Sequence, residues 1–457
     1  MTALSGVEIG SPDRALDRSD VRAFLEAGLA RPRTGPVAIT IPAPIGSPLA
    51  LLDRLRRGSA FHLRDERRSL TALGATRFSM LAGVRRFSDA QTAYERTRSE
   101  TTSLVHERGC GSGGPIWTLG FAFVAGRARE TWSALGDGLI TVPRWCHRVE
   151  SGAGTLTLVV DRDEPASTML ALAELDAIWD ALSLPAVAAS TVNGARARHV
   201  DEARWARSVA DVKARIEAGE ATKVVVARRS TVVADHEIDP VSVARRLERP
   251  GATVYCVRRR GVAFVGATPE RLFRKRGRHV LTEAIAGTAS LERDPSGRQL
   301  FASSKDLLEH QLVVDGISSA LSALRGDVSV GPRGIRTIGA IAHLATPIEA
   351  HLANDASAFE ILDTLHPTPA VGGVPRATAV RWIAENEPDR GWYAGPLGWI
   401  DADGNAEMHV ALRSALIVGS RAYAYAGCGV VDGSDAHAEY AETSLKLAPM
   451  LAALGVA

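Results

Sequence analysis

The sequence predicts a mixed α and β fold. Segments with strand-like β-branched and aromatic content, such as GGPIWTLGFAFV and GTLTLVVDRD, stand between Gly-rich turns. Helical patterns separate groups of these strands, and the clearest has its apolar positions at Trp205, Val209, Val212 and Ile216. Gly219 is placed to end that helix. At 457 residues the chain has ample length for a sizeable core, in one large domain or in two to three ordinary ones.

Taken in order, the chain begins with a helix, SDVRAFLEAGL, that Ser19 is predicted to cap. PVAITIPAP follows as a strand closed by prolines. An Ala-rich helix, LALAELDAIWDALSLPAVAAS, and a polar loop, TVNGARARHVDE, join two halves. Next come the strand TKVVVARRSTVV and a hairpin of ATVYCVRRR and VAFVGAT around Arg260 and Gly261. SSKDLLEHQLVVDGISSALSAL is a long helical pattern.

Composition limits the classes of partner. A formal net charge of +2 gives no general reason to expect nucleic acid or an acidic membrane. The basic runs CVRRRG and FRKRGRH lack interleaved aromatic residues and are interpreted as solvated turns. No run of about 18 apolar residues predicts a membrane span, and the first residues carry Asp and Arg where a signal peptide needs an apolar core. We expect a protein with no nucleic-acid or membrane partner.

The cysteines indicate the compartment. Cys110, Cys146, Cys256 and Cys428 are widely spread and include no C-x-x-C pair. Such cysteines are typical of reduced thiols in the cytoplasm and offer no zinc site. We therefore expect a cytoplasmic protein.

The C-terminal stretch AGCGVVDGSDAHAEYAETSLKLAPML has the densest chemistry. Glu439, Glu442 and Lys446 lie at i, i+3 and i+7 and would share one face of a helix. Gly427 and Gly429 lie in a predicted Gly-rich turn that lets the backbone approach a ligand closely. Carboxylates favour a hard cation, whereas amides and Lys446 favour an anion, so this stretch suggests half of a site for a metal with an anionic ligand. The alternative is a solvated helix in which Glu442 and Lys446 form a surface pair.

A second carboxylate pair repeats this spacing. Asp306 and Glu309, in KDLLEH, lie at i and i+3. Two such helices could face each other across one magnesium ion, with two carboxylates binding directly and two through water. His310 is interpreted as a packing or supporting residue, because no second histidine stands at metal-ligand spacing.

Two further residues are candidates for acid–base chemistry. Lys223 precedes Val224, Val225 and Val226, so partial desolvation could lower its pKa and make it a neutral general base. Glu270, in GATPERLF, follows a strand, and burial there could raise its pKa and make it a general acid. The alternatives are a lysine that reaches solvent and a turn glutamate that pairs with the following arginine.

Arg413 is a candidate for anion binding. It interrupts the apolar strand-like run HVALRSALIV. A buried arginine needs an anion, and a substrate carboxylate fits its fork. The alternative is a structural ion pair.

The order and type of these motifs resemble the chorismate-utilising enzyme family, which includes isochorismate, salicylate, anthranilate and aminodeoxychorismate synthases. The segments that carry the resemblance are TKVVVARR, FVGATPERLF, AIAGTAS, SKDLLEHQLVV, HLATP, LHPTPAVGGVPR, GWYAGPLGW, ALRSALI, AGCGVV and AEYAET followed by Lys446. They cover roughly residues 195–455. Thr268, Ala406, Leu307 and Leu308 depart from the usual family pattern, and Ala406 bears on a tight turn near Arg413.

The resemblance implies a fold. It is an α+β fold with a single large domain, residues 1–457, of two packed antiparallel β-sheets with helices outside, as in anthranilate synthase component I. Residues 195–455 would form the chorismate-binding catalytic region, and residues 1–165 would complete the sheets.

The resemblance also implies roles for individual residues. Glu309 and Glu442 would bind Mg²⁺, with Asp306 and Glu439 behind them. The residues that would hold the substrate are Gly287, Thr288, His343, Tyr393, Arg413, Gly427, Gly429 and Lys446.

A lysine at position 223 and the closing motifs most resemble isochorismate synthases of the menaquinone type. In that reaction water attacks ring carbon C2 of chorismate and the C4 hydroxyl departs. Neutral Lys223 would take a proton from the water, and protonated Glu270 would give one to the leaving hydroxyl. Mg²⁺ would neutralise the ring carboxylate.

The resemblance leaves alternatives open. Salicylate synthase would make the same intermediate and then eliminate pyruvate, the product could feed a siderophore instead of menaquinone, and the fold could serve only for binding. No glutamine amidotransferase segment is visible, and family members without such a partner tend to be monomers.

Overall fold

Two large β-sheets with helices packed against them make up the structure, a computed structural model that describes residues 2–3, 17–30, 34–55, 58–106, 113–183, 194–292 and 294–456. The strands are β1 (Thr2–Ala3), β2 (Pro36–Ala43), β3 (Ala60–Arg64), β4 (Ser69–Leu73), β5 (Arg77–Leu81), β6 (Thr102–Val105), β7 (Ile116–Phe121), β8 (Gly138–Val142), β9 (Trp145–Glu150), β10 (Ala153–Asp161), β11 (Arg196–Arg198), β12 (Lys223–Val233), β13 (Thr253–Arg259), β14 (Val262–Thr268), β15 (Arg271–Arg276), β16 (His279–Ser290), β17 (Gly326–Val330), β18 (Gly334–Ile338), β19 (Ile341–Leu352), β20 (Gly373–Val374), β21 (Pro396–Asp401), β22 (Ala406–Val410), β23 (Ser414–Val418) and β24 (Arg421–Val430).

The helices fill the connections between groups of strands. They are α1 (Arg18–Leu29), α2 (Pro48–Arg54), α3 (Arg86–Glu100), α4 (Pro165–Ser183), α5 (Glu202–Glu217), α6 (Pro240–Leu247), α7 (Gln299–Ala302), α8 (Ser304–Ala323), α9 (Ala358–Leu365), α10 (Arg376–Asn386) and α11 (Ala436–Ala453). No described helix combines the length and apolar content needed to cross a lipid bilayer.

Both halves of the chain build both sheets. The first sheet has the strand order β1-β6-β2-β10-β9-β4-β3-β13-β14-β23-β24-β12-β11, with β20 on β12. The second has the order β17-β19-β16-β15-β22-β21-β7-β8-β5, with β18 on β19. Pairing is antiparallel except that β6 runs parallel to β1 and β2. The predicted mixed fold and its antiparallel sheets are therefore confirmed.

A large apolar core joins the two sheets. It contains Tyr255 and Phe264 from the first sheet together with Trp117 and Phe121 from the second, each at most 1% exposed. A second core lies under α1, α2, α4, α6 and α11 on the first sheet. Burying aromatic side chains of this size is among the largest sources of core stability, so this core holds the two sheets in position relative to each other.

The helices that carry candidate residues begin at side-chain caps. The Ser303 hydroxyl accepts a hydrogen bond from the Asp306 amide at 3.1 Å, which fixes the start of α8. The Asp435 carboxylate accepts one from the Ala438 amide at 2.9 Å, which fixes the start of α11. A cap contributes about 1 kcal/mol to the stability of a helix end and sets which face turns inward.

Three local predictions were wrong. Asp17, not Ser19, caps α1, because its carboxylate accepts from the amides of Ser19 and Asp20. The Gly-rich segment around Gly427 is not a turn, because it pairs with β12 over ten residues as part of β24. The third is wrong only in part, because the basic run FRKRGRH lies mostly in β15 and β16 while its Gly277 and Arg278 form the hairpin turn between these strands. In the other basic run, Arg260 and Gly261 do form the predicted hairpin turn.

Residues 107–112 and 184–193, which include Cys110 and part of the predicted Ala-rich helix and loop, lie outside the described residues.

Candidate active site

A cavity of about 70 Å³, partly open to solvent, lies between the two sheets. The predicted residues that line it are Glu270, Gly287, Thr288, Glu309, His343, Tyr393, Arg413, Gly427, Gly429 and Lys446. They come from α8, α11, β16, β19, β24 and three loops. Residues scattered over about 180 positions thus meet at one place.

Two of these residues lie where the chain crosses from one sheet to the other. Glu270 lies between β14 of the first sheet and β15 of the second, and Arg413 lies between β22 of the second sheet and β23 of the first. The crossings are bonded to each other, because the Val410 amide donates to the Glu270 carbonyl at 3.1 Å and the Ala267 amide donates to the Arg413 carbonyl at 3.3 Å. The structure therefore couples the positions of Glu270 and Arg413.

Glu270 lies in the loop between β14 and β15 and is deeply buried, with only 5% of the residue exposed. Burial raises the pKa of Glu270 to about 8, and the positive charge of Lys223 only partly opposes this rise. The alternative pairing with Arg271 does not occur, since Arg271 is directed at Glu407 instead. Glu270 can therefore hold a proton at neutral pH, as a general acid must.

Lys223 is completely buried at the start of β12, and its ammonium has a counter-ion. Its Nζ lies 3.0 Å from Oε1 of Glu309 on α8. The predicted apolar surroundings are present, since Val224 and Val226 are also buried, but the lysine does not reach solvent. Lys223 does not line the cavity itself, but it contacts the lining residue Glu309 through this pair.

Gly429 is the residue that makes room for this pair. A Cβ atom added at Gly429 would lie 2.6 Å from Cε of Lys223 and closer still to Oε1 of Glu309. At Gly427 a Cβ atom would lie 3.2 Å from the Tyr393 hydroxyl. The glycines thus matter for close approach of side chains within a strand, which differs from the turn role predicted for them.

Arg413, His343 and Gly287 form a chain of hydrogen bonds along the cavity. Nη2 of Arg413 donates to Nε2 of His343 at 3.3 Å. Nδ1 of His343 donates to the Gly287 carbonyl at 2.9 Å, since a carbonyl can only accept. Burial and the charge of Arg413 lower the pKa of His343 to about 3, so the ring is neutral. This ring orients the guanidinium.

Arg413 also has an unusual backbone conformation and few other contacts. Its φ is +51°, in the left-handed region, and Gly287 has a φ of +72° at the bulge of β16. Burial lowers the pKa of Arg413 to about 10, which leaves it charged at neutral pH. No described carboxylate lies within ion-pair distance of it, so the predicted alternative of a structural ion pair does not hold. A buried guanidinium of this kind is suited to an anionic ligand.

Four carboxylates from two helices gather beside the cavity. Lys305 contacts Glu439 at 2.5 Å, and Lys446 contacts Glu442 at 2.6 Å. Burial lowers the pKa of Lys305, but the charges of Glu439 and Glu442 outweigh it and hold that pKa above its ordinary value. Burial and the charge of Glu442 raise the pKa of Glu439. The predicted pairs on α8 and α11 therefore lie close enough to act on one another.

Asp306 belongs to the same group, and burial together with the charges of Glu309 and Glu442 raises its pKa. Asp306, Glu439 and Glu442 do not line the cavity itself. Among the described residues, no three His, Cys, Asp or Glu side chains converge as they would around a bound metal. Three of the four carboxylates form ion pairs with lysines instead: Glu309 with Lys223, Glu439 with Lys305, and Glu442 with Lys446.

Lys446 connects this group to the cavity. Its Nζ donates to the Gly427 carbonyl at 3.1 Å as well as to Glu442. Burial lowers the pKa of Lys446, but the charge of Glu442 outweighs it and raises that pKa above its ordinary value. The alternative prediction was that Glu442 and Lys446 form a pair on the protein surface. They do form a pair, but it lies inside the site, with both side chains only 16% exposed.

Among the lining residues that the sequence analysis missed, Arg390 and Tyr425 have side chains that can form hydrogen bonds. Arg390 is 4% exposed, forms a bidentate pair with Glu387, and donates to the Val225 and Val371 carbonyls at 2.8 and 3.0 Å. Tyr425 stacks on Tyr393 with ring centroids 5.1 Å apart. The arginine in RGWYAGPLGW was a usable signal, whereas Tyr425 follows a strand pattern that gives no sign of a cavity.

Comparison with known proteins gives a family. A model of chorismate binding enzymes matches residues 23–455. The chain belongs to the chorismate binding enzyme family. This chorismate-binding chain is 30% identical over 399 residues to isochorismate synthase MenF of Haemophilus influenzae, across 85% of this chain and 84% of that protein.

Higher identity is found over shorter regions. The chain is 42% identical over 259 residues to the salicylate biosynthesis isochorismate synthase of Pseudomonas aeruginosa, across 55% of this chain, and 40% identical over 271 residues to isochorismate synthase MenF of Bacillus subtilis, across 57% of it. It spans about half the length of these two relatives, 54% and 57%.

Solved structures confirm the predicted fold. MenF, the menaquinone-specific isochorismate synthase from Escherichia coli, superposes with a TM-score of 0.78 at 26% identity, over 95% of this chain and 99% of that one. Anthranilate synthase component I from Streptococcus pneumoniae superposes with a TM-score of 0.66 at 20% identity, over 84% and 92%. The second likeness concerns the fold alone.

Proposed function

We propose that this chorismate-binding enzyme is an isochorismate synthase that depends on Mg²⁺ and converts chorismate to isochorismate. The observation that carries the proposal is Glu270, a buried acid in the cavity wall whose pKa is raised to about 8. An acid of this kind can protonate a departing hydroxyl at neutral pH, which the loss of the C4 hydroxyl requires. The isochorismate synthases among its relatives support the same reaction.

In the proposed reaction Glu270 gives its proton to the C4 hydroxyl, which leaves as water. A second water attacks ring carbon C2 and loses its proton to the amine of Lys223 as the ring double bonds shift. Arg413, held by the neutral His343, binds a carboxylate of the substrate. Gly427 and Gly429, which line the cavity on β24, would lie beside the ring. Thr288, Tyr393 and Lys446 complete the substrate contacts.

The general-base role requires an uncharged amine at Lys223. The Glu309 carboxylate lies 3.0 Å from Nζ of that amine. A divalent cation held by Glu309 would compete with Lys223 for this carboxylate.

The carboxylates on α8 and α11 fit a hard divalent cation. All four offer oxygen donors, and Oε2 of the buried Glu439 has no hydrogen-bond partner among the described residues. We propose that Glu309 and Glu442 bind Mg²⁺, with Asp306 and Glu439 behind them. When bound, Mg²⁺ neutralises the ring carboxylate of the substrate and fixes its position.

We also propose that the product serves menaquinone synthesis and that the enzyme acts in the cytoplasm as a monomer without an amidotransferase subunit. The support is its likeness to a menaquinone-specific relative. Gel filtration tests the monomer directly: a dimer peak at working concentration would contradict it.

The experiment that tests the reaction is incubation of the purified protein with chorismate, with and without Mg²⁺, followed by separation of products. We expect isochorismate alone, and loss of turnover after chelation by EDTA that added Mg²⁺ restores. Salicylate and pyruvate would show a salicylate synthase instead. Absence of turnover while Mg²⁺ still binds would favour a protein that only binds its ligand.

A further inference from the structure

A second cleft, separate from the active-site cavity, is lined by guanidinium groups. It is open, measures about 740 Å³, and lies between the ends of the two sheets. Its arginines are Arg67, Arg68, Arg271, Arg274 and Arg336. Its floor includes β15, which begins directly after Glu270. The reaction proposed above uses none of these side chains.

Three of these arginines converge on one carboxylate. Arg68 donates hydrogen bonds to both carboxylate oxygens of the buried Glu407, at 2.6 and 3.0 Å. Arg271 and Arg274 then approach Glu407 only to 3.6 and 3.7 Å, beyond hydrogen-bond distance. The Nε atoms that face Glu407 are buried and have no hydrogen-bond partner among the described residues. Both side chains also line the cleft and are 37% and 28% exposed, so an anion bound in the cleft can reach these guanidinium groups.

The carboxylates that line the cleft do not supply that acceptor. Asp65 already accepts from Arg68 at 2.8 Å and from two backbone amides. Glu66 accepts from the Gly251 amide at 2.8 Å, and Glu150 accepts from Arg148 at 3.2 Å. Arg336 pairs with Glu283. The unmet donors are therefore those of Arg271 and Arg274, with the exposed Arg67 at the rim.

Like charges also act on each other here. Burial lowers the pKa of Arg271, and although Glu407 opposes this effect, Arg68, Arg274 and Arg336 lower it further. Closely spaced guanidiniums with open forks are the arrangement that recognises oxyanions, because each fork donates two parallel hydrogen bonds. The cleft volume of about 740 Å³ is within the range that holds a small organic ligand.

We propose that this arginine cleft is a binding site for a small oxyanion with two or more negative charges, held by Arg271, Arg274 and Arg67. Phosphates and polycarboxylates share this chemistry. The site is independent of the proposed reaction, and its occupant would lie beside β15, the strand that follows Glu270.

Calorimetric titration of the full chain tests the proposal, with pyrophosphate in one arm and citrate in the other, at constant ionic strength and without chorismate. We expect saturable binding in at least one arm, and the arm that binds identifies the oxyanion class. Arg274→Gln should weaken binding at least tenfold. Arg67→Ala, at an exposed position that cannot unfold the core, should weaken it several-fold.

Two further variants separate this site from its alternatives. Arg381→Gln removes an exposed charge on α10 and should leave binding unchanged. Arg413→Gln alters the active-site cavity and should also leave it unchanged. The proposal is overturned if neither ligand shows saturable binding, if Arg274→Gln and Arg67→Ala bind as the unaltered protein does, or if only Arg413→Gln loses binding.

Discussion

Lys223 and Glu309 form a buried ion pair, with Nζ 3.0 Å from Oε1, under the backbone of Gly429. The lysine comes from β12 and the glutamate from α8, so the pair ties a strand of the first sheet to a helix on the second. Breaking a buried pair leaves an uncompensated charge in the interior. The space that Gly429 provides is therefore a condition for the geometry of both side chains.

Gly429→Ala should reduce isochorismate formation at least about tenfold, a barrier increase of about 1.4 kcal/mol, because the new Cβ displaces Lys223 and Glu309. Steady-state assay of product formation measures it. Gly334→Ala is the matched control, since a Cβ there meets no atom within 4 Å. Unchanged activity in Gly429→Ala would contradict the role given to the pair.

Glu270→Gln should lower kcat by about 10²–10⁴ while the fold is kept, because the amide has nearly the same shape but no acidic proton. In the unaltered enzyme, activity should fall as pH rises through about 8, where Glu270 loses its proton. The pH profile of kcat/KM measures this limb. A profile that stays flat up to pH about 10 would exclude Glu270 as the acid.

The same group should make stability depend on pH. The pKa of Glu270 rises from 4.5 to about 8 on folding, so the native state keeps a proton that the unfolded state has released across this range. Stability must therefore fall as pH rises through the range. Urea unfolding should show that this fall is smaller in Glu270→Gln. Glu385→Gln, exposed on α10, should keep the slope of the unaltered protein.

His343 should stay neutral with its proton on Nδ1, because burial lowers its pKa to about 3 and its Nδ1 donates to the Gly287 carbonyl. Nitrogen-15 NMR of the histidine rings from pH about 8 to about 5 measures the tautomer. The exposed His437, whose pKa is raised by Glu202, should become charged in the same titration. Protonation of His343 above pH about 5 would show that the ring is more accessible than its burial indicates.

Arg413→Lys should raise KM for chorismate by about ten- to a hundredfold, because an ammonium keeps the charge but loses the fork and the hydrogen bond to His343. Arg381→Gln provides a comparison that alters surface charge only. If KM is unchanged in Arg413→Lys, the guanidinium does not bind the substrate.

The sequence predicted the helices α8 and α11 and the carboxylate pairs on them, because the i, i+3 spacing of Asp306 with Glu309 can be read directly from the local sequence. It also predicted Glu270, Arg413 and His343 through their motifs. It could not predict that Glu309 would hold Lys223, since 86 residues separate them and only the folded sheets bring them together. Tyr425 was missed for the same reason. Which faces of two sheets enclose a cavity depends on how the sheets stack, and periodicity within one strand does not contain that information.

The crossings at Glu270 and Arg413 place the acid and the anion-binding group on the joints between the two sheets. Any sliding of one sheet over the other would change the alignment of both groups on the substrate together. A conservative change in the core between the sheets, such as Phe264→Leu, should therefore lower the turnover rate by misaligning both groups. Selection for catalysis would then act on the packing between the sheets as well as on the site residues.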